Sequence, residues 1–373
     1  MKYIFGLGAM LLTLPLLISS CGRSSVADVC NGDTLTINSQ LLTMVDQGDY
    51  IVADIRNPWS SDTSLLERYY LVSKDYKGTL PDGGVRVTVP LESSVVYSSV
   101  HGGVIAELHA VDAINGVADA QYFINAEIAK RIESGKIADV GNSMSVSIEK
   151  VVDLSPDAIL VSPFQNKESG AVTTLGIPVV QCVDYMEATP LGRAEWIKFF
   201  GVLYGCKSVA DSIYKAVSAD YSELCGMVAQ CVDSPVVLPE QALPSGEWNV
   251  PAGDSYMAQM YNDAGVTYPW ADTQGVGSLI LDAAMVLDKA GNADFWLIRY
   301  FGPLSLSALK DSNPINPHIK AYKESNVYVC NTAEIPLFDE FPFHPERLLR
   351  EYVKIFHPTV LPDYQLRYFS RAM

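Results

Sequence analysis

Hydrophobic positions along this chain fall into four successive patterns. The first is an uninterrupted apolar run from Tyr3 to Ile18, preceded by Lys2 and followed by Ser19-Ser20-Cys21. It is shorter than the roughly 20 residues a spanning helix needs, and small residues directly before a cysteine mark a lipoprotein processing site. Residues 1–20 are therefore predicted as a lipoprotein signal peptide, Cys21 as the lipidated residue and 21–34 as a tether. Between 35 and 89 the pattern turns to short β segments, Tyr50-Ile51-Val52-Ala53, Tyr69-Tyr70-Leu71-Val72 and Val85-Arg86-Val87-Thr88-Val89, separated by Gly, Pro and Asp.

From 90 to 189 strands alternate with helices. Ser94–Ser99 reads as a strand leading into a helix over Gly103–Ala113, Gly116-Val117 as a strand, Ser147–Leu154 as a helix and Ala158–Val161 as a buried strand. A short helix ending at Leu175 and a strand from Ile177 follow. Such alternation predicts parallel pairing with helices on both faces of the sheet.

The fourth pattern is helical, over 190–230. Thr189-Pro190 is a start signal and Gly205 a stop. Ser208 with Asp211 resembles a capping box. Val209, Ile213, Val217, Tyr221, Leu224 and Val228 then form one apolar stripe on a helix about 32 Å long. After Pro235 the strand–helix rhythm returns through 231–373. IEKVVDLSPDAILV (148–161) is echoed by AMVLDKAGNADFWLI (284–298), each with an Asp, Asp157 or Asp294, opening a hydrophobic strand. Ser99-Val100-His101 and Ser255-Tyr256-Met257 likewise each open a helix, predicted to end in Asn-Gly or Ala-Gly. Two α/β lobes of related plan joined by one long helix follow from this order.

Composition adds a location and removes some functions. There are 43 Asp plus Glu against 26 Lys plus Arg, a net charge of −17, which argues against nucleic acid as a partner. Six cysteines besides Cys21 are scattered, none in a CxxC pair, so zinc and redox motifs are absent. They permit 15 disulfide connectivities; only Cys206–Cys225, at opposite ends of one predicted helix, is excluded by distance. Gly253-Asp254-Ser255 suggests an esterase nucleophile, but none of the five histidines (101, 109, 318, 344, 357) follows an Asp by three, and the G-x-S-x-G elbow, P-loop and H-E-x-x-H motifs are missing. A non-enzyme is expected.

The lipobox, VVDLSPDAILV, LGIPVV and TPLGRAEWIKFFGVLYG together resemble the substrate-binding lipoproteins of ABC importers, in the group that takes up iron–siderophores, haem and cobalamin. The resemblance spans roughly residues 84–370. It implies a class III periplasmic-binding-protein fold, two Rossmann-like lobes on one rigid helix, here with a β-rich extension over 35–89 that either extends the first sheet or covers the cleft. It also implies an iron complex (siderophore or haem) or a corrinoid held between the lobes as cargo rather than cofactor. The partner would be an ABC permease dimer with its ATPase, and the binding protein a lipid-anchored monomer facing the periplasm. A ligand-sensing lipoprotein on the same fold is the rival reading. Strand-end loops nominate Ser99, His101, Tyr122, Phe164, Trp248, Tyr256, Tyr268, Trp270, Tyr300 and His344 as ligand contacts, with no resident metal. Arg299 and Arg347 are expected in surface ion pairs, with a carboxylate-bearing ligand as the other possibility. Glu149 matches the first-lobe docking carboxylate of the resembled proteins, and Asp282 or Asp288 stands in for the second.

Overall fold

The strand Ala158–Val161 is apolar at every position and buried at every position, as expected of a central parallel strand covered on both faces. It is an inner strand, second in the order Val179–Gln181, Ala158–Val161, Ser94–Val96, Ile114–Val117, Ala138–Asp139, which is parallel throughout. In the second lobe Val237–Pro239, Phe295–Tyr300 and Val327–Asn331 are also parallel, with Ser370–Arg371 added antiparallel at the edge. A separate hairpin pairs Glu247–Pro251 with Ser278–Asp282. The computed structural model describes residues 32–60, 62–164 and 170–373. The signal peptide, Cys21, Cys30 and the tether up to residue 31 lie outside the described residues. Asp33–Thr34, expected in the tether, form a strand.

The predicted echo between the lobes is present as one repeated device. The helices Ile148–Leu154 and Ala283–Ala290 each precede an inner strand of their sheet, Ala158–Val161 and Phe295–Tyr300. Asp157 then accepts the N–H groups of Glu92 and Ser93, while Asp294 accepts that of Val236. In each lobe the carboxylate thus fixes the start of the neighbouring strand.

The connecting helix runs Lys207–Val228, 22 residues, or about 33 Å at 1.5 Å per residue. Its first half buries Ala210, Tyr214 and Val217 in the first-lobe core, and its second half buries Tyr221, Leu224 and Val228 in the second. This corrects the predicted stripe in its first half, where Val209 is exposed and Ala210 and Tyr214 face inward. The capping box does not form either, because the helix starts at Lys207 with Cys206 as its unassisted cap. Two preceding helices, Pro190–Ala194 and Ile197–Leu203, complete the linker, with Thr189 capping the first as predicted. The first helix of the lower-numbered lobe spans Ser99–Glu107, earlier than predicted, and ends well before Asn115-Gly116, which lies on the next strand. The described cysteines 182, 206, 225, 231 and 330 are all free.

The β-rich segment neither extends the first sheet nor covers the cleft. It is a five-stranded sheet of its own, Asp33–Thr34, Leu42–Asp46, Tyr50–Arg56, Leu65–Ser73 and Val85–Val89, antiparallel except for the last pair. Its apolar face, including Leu42, Ile55, Tyr69 and Leu71, joins the first-lobe core. The Tyr69 hydroxyl donates to the Val179 carbonyl and accepts from the Gln181 N–H at the edge strand. Segment 37–41 is held by two buried carboxylates. Glu195 Oε2 accepts the N–H groups of Ile37, Asn38 and Ser39 at 2.9, 2.7 and 2.9 Å. Glu187 accepts those of Gln40 and Leu41, and the Trp196 indole N–H. Charge-assisted bonds of this kind are among the stronger ones. Glu195→Ala would leave three inward N–H groups without their acceptor and the Lys198 ammonium without its counter-charge, bonded only to the Leu35 carbonyl. A loss of about 3–5 kcal/mol is expected, measured by urea unfolding, with new proteolytic cleavage between residues 32 and 46.

Candidate functional site

Ligands of open α/β sheets sit beyond the carboxyl ends of the strands. In the first lobe these ends carry Tyr97-Ser98-Ser99, Asp119 and Ser162-Pro163-Phe164, and they wall a cavity of about 650 Å³, inside the range of small-molecule sites. Met144 and Val146 close one side from the hairpin Gly141–Asn142/Ser145–Val146. Tyr122 and Phe164 line the cavity while 58% and 79% exposed, an arrangement with no packing purpose of its own.

Asp119 organises this wall. Its backbone is left-handed, φ 53°, a region more open to Asp than to most residues. Its carboxylate accepts from Asn142 Nδ2 at 2.8 Å and from the Ser143 N–H at 3.2 Å, so the 141–146 hairpin is tied to the end of the Ile114–Val117 strand. The Tyr97 hydroxyl is buried and has no hydrogen-bond partner among the described residues. Burial pushes its pKa up to about 12, which keeps it a donor at neutral pH.

The second lobe presents exposed aromatics at the matching place. Tyr300 and Phe301 follow the Phe295–Tyr300 strand, and Phe338 lies in the helix Leu337–Glu340 after the next strand; Phe301 is 75% exposed. The lobes meet beside these ends. The helix Ser99–Glu107 packs on Leu337–Glu340, so closely that a Cβ on Gly103 would stand 2.8 Å from the Asp339 carbonyl oxygen. Phe343, from the second-lobe chain, belongs to the first-lobe core and meets Phe200 edge-on at 5.7 Å.

Polar groups pin the same junction. Asp184 receives His101 Nε2 at 2.9 Å and Arg193 Nε at 3.1 Å, all three side chains buried. Burial alone would raise the Asp184 pKa, but the charges and hydrogen bonds of His101 and Arg193 outweigh it and hold it at about 2. Arg193 Nη1 donates to the Tyr256 hydroxyl at 2.7 Å across the junction, and its guanidinium lies 4.9 Å from that ring. His344 is held between Glu107 of the first lobe, at 2.7 Å, and Glu346, at 2.9 Å.

A family model described as periplasmic binding protein matches residues 95–333, more than half the chain. The chain belongs to the periplasmic binding protein family. Its class III fold of two Rossmann-like lobes on a long helix is the one the resemblance implied. An uncharacterized lipoprotein of Methanocaldococcus jannaschii is 24% identical over 414 aligned positions, covering 100% of this chain and 97% of that one. Among solved structures, Helicobacter pylori CeuE with Ni(II) bound superposes with a TM-score of 0.59 at 17% identity, covering 78% of this chain and 92% of that one. A periplasmic heme binding protein from Pseudomonas aeruginosa gives 0.56 at 16%, covering 72% and 94%. At such identities the likeness is one of fold. The protein is a solute-binding component of an ABC transporter, a class that works with a permease and an ATPase.

Within this periplasmic binding protein the nominated ligand contacts separate into three groups. Ser99, Tyr122 and Phe164 line the first-lobe cavity, and Tyr300 is half-exposed at a second-lobe strand end. Trp248, Tyr268 and Trp270 belong instead to the second-lobe core. Trp248 is 0% exposed, stacks on Trp296 at 5.6 Å and donates its indole N–H to the Pro239 carbonyl; the Tyr268 hydroxyl is spent on the Pro251 carbonyl. His101, Tyr256 and His344 pin the lobe junction and do not line the cavity. Sequence reading missed Asp119, Met144, Phe301 and Phe338; Asp119 stands two positions past the Ile114–Val117 strand, and its left-handed backbone is visible only in the structure. Of the two arginines, Arg299 pairs with Glu240, and Arg347 with Glu340 and Glu346. Glu149 is exposed in the first turn of its helix; Asp282 caps the Ala283–Ala290 helix by accepting the Ala284 N–H, and Asp288 is exposed. Among the described residues no three His, Cys, Asp or Glu side chains are grouped to hold a metal ion.

The His344 pin carries a pH signature. Burial opposes its charge, but the hydrogen bonds to Glu107 and Glu346 prevail and raise its pKa from 6.5 to about 9. A histidine raised on folding stabilises fully below its unfolded pKa and loses that contribution as pH climbs through the folded one. Thermal unfolding is therefore expected to show a decline between pH 6.5 and about 9 that His344→Gln largely flattens.

Proposed function

We propose that this protein captures an iron complex, a siderophore or haem, with a corrinoid as the second choice, between its lobes and delivers it to an ABC permease. The observation that carries this reading is the pairing of a cavity of about 650 Å³ with exposed Tyr122 and Phe164 at its wall and exposed Tyr300, Phe301 and Phe338 at the second-lobe strand ends. Broad chelates and macrocycles offer flat apolar faces with a polar rim, which aromatic side chains and a few hydroxyls hold well. Binding proteins of similar fold that carry Ni(II) or haem support the class of cargo without choosing a member. Cys21 is read as the lipid anchor, placing the monomeric protein on the outer side of the membrane. Glu149, with Asp282 or Asp288, is read as the permease-docking pair.

Difference absorption and fluorescence quenching with ferric siderophores, haemin and cyanocobalamin test the reading, and silence with all of them removes it. Tyr122→Ala and Phe164→Ala are each expected to weaken binding by about 1–3 kcal/mol with unchanged unfolding. Trp248→Ala is the contrasting case, expected to cost about 3–5 kcal/mol of stability. Glu149→Lys should leave the cargo Kd unchanged and lower uptake by cells carrying the cognate importer.

A further inference from the structure

We infer that Asp339, which stands in the second lobe, is a positioning residue for the cargo site in the first: it sets whether the Ser99 hydroxyl meets the cargo as a hydrogen-bond donor or as an acceptor. The inference rests on the reading of the first-lobe cavity as the cargo site and adds to it a residue from the other lobe.

Geometry brings the two residues together. Ser99 opens the helix Ser99–Glu107 and lines the cavity. Positions 99, 103 and 107 are spaced by four and so share one face of that helix. Each of them meets the second lobe: Ser99 shares a hydrogen bond with the Asp339 carboxyl, Gly103 lies against the Asp339 main chain, and Glu107 holds His344. A Cβ at position 103 would also come within 3.3 Å of the Asp339 Cβ. The Asp339 side chain therefore starts beside Gly103 and reaches one turn back to Ser99. The second lobe grips this helix along one stripe, and the cavity stands at the N-terminal end of the stripe.

A hydroxyl carries one proton and two acceptor lone pairs. An ionised Asp339 only accepts, so the Ser99 hydroxyl donates to it and offers the cargo an acceptor. A neutral Asp339 has an O–H of its own to donate; Ser99 Oγ then accepts from it, and the Ser99 proton is released toward the cargo. Burial pushes the Asp339 pKa up from 3.8 to about 6, with the Glu340 charge adding to the rise and the Ser99 bond opposing it. The hollow of about 810 Å³ between the lobes, which Asp339 also lines, adds Glu107, Glu127, Glu334, His344 and Arg347 to its charged surroundings. Arg193 and Arg299 lie over the rings of Phe341 and Phe338, Arg367 bonds to Glu340, and on the facing helix His101 is bonded to Asp184. His344 titrates higher, at about 9, so the two steps separate on a pH axis. Cargo with a rim of carbonyl, hydroxamate or carboxylate oxygens prefers the donor form of Ser99. Its affinity falls as pH rises through about 6, and by reciprocity its binding takes up a proton.

The test is cargo affinity against pH on the intact protein, read by fluorescence quenching with a ferric trihydroxamate, a ferric tricatecholate, cyanocobalamin and haemin. Each variant is compared with the unsubstituted protein at the same pH, so that any titration of the chelate itself cancels. The chelate that binds is expected to do so about fivefold tighter at about pH 5 than at about pH 7.5, the worth of one net hydrogen bond. Binding in weak buffer near pH 6 should take up protons. Asp339→Asn, whose amide donates at every pH, should hold the tight value throughout, and Ser99→Ala the weak value throughout. His344→Gln should keep the step. A merely structural Asp339 would leave the step in place in Asp339→Asn. A step that survives in Asp339→Asn or Ser99→Ala, or a flat profile in the unsubstituted protein, overturns the inference and leaves the cargo reading intact. Failure of all four chelates to bind at either pH overturns both.

Discussion

The helix Lys207–Val228 is buried by two cores at once: Tyr214 and Val217 are held by one lobe, Tyr221 and Leu224 by the other. A large apolar side chain contributes roughly 1.5–3 kcal/mol on burial, so bending this helix would expose surface in both lobes together. The helix Pro345–Phe356 packs along it, and Phe343, next to that helix, reaches into the first-lobe core. Relative motion of the lobes is consequently confined to small rotations, unlike hinges built on a few loop residues. A cavity whose described lining comes from the first lobe alone is consistent with this stiffness, because its wall does not wait for closure to be assembled.

The polar pins act on orientation more than on stability. Burying Asp184, His101 and Arg193 together incurs a desolvation cost that their attraction roughly offsets. What the group adds is direction: the Arg193 fork fits Asp184 on one side and the Tyr256 hydroxyl on the other, and no slid arrangement satisfies both. Glu187 and Glu195 do the same for the β-rich sheet, fixing segment 37–41 against the linker helices through five main-chain N–H groups. Both devices spend buried charge on geometry.

Local order was legible wherever the signal was local. Thr189-Pro190, Ser147 and the Asp157/Asp294 pair announced helix starts and strand starts, and the structure uses each of them in that way. The helix stripe was misread at Val209, which is exposed, while Ile213 packs against the first-lobe core; the two halves of that helix face different partners, and a single periodicity cannot describe both. The aromatic residues separated for a similar reason. Trp248, Tyr268 and Trp270 are packed in the second-lobe core, where the Trp248 indole and the Tyr268 hydroxyl donate to the Pro239 and Pro251 carbonyls and Trp270 packs against the Tyr268 ring. The partners of His101 and His344, Asp184 and Glu107, lie 83 and 237 positions away, beyond any motif, so these pairings were not legible; His344 does line the hollow between the lobes. The class of fold was readable; which face of each aromatic ring meets solvent was not.

The absence of a side chain at Gly103 gives the lobes a bare point of mutual support. With main chain resting on main chain at Asp339, no flexible rotamer can cushion or creep there. Any larger residue at position 103 would have to push the helix Leu337–Glu340 away and loosen the seat of one lobe on the other.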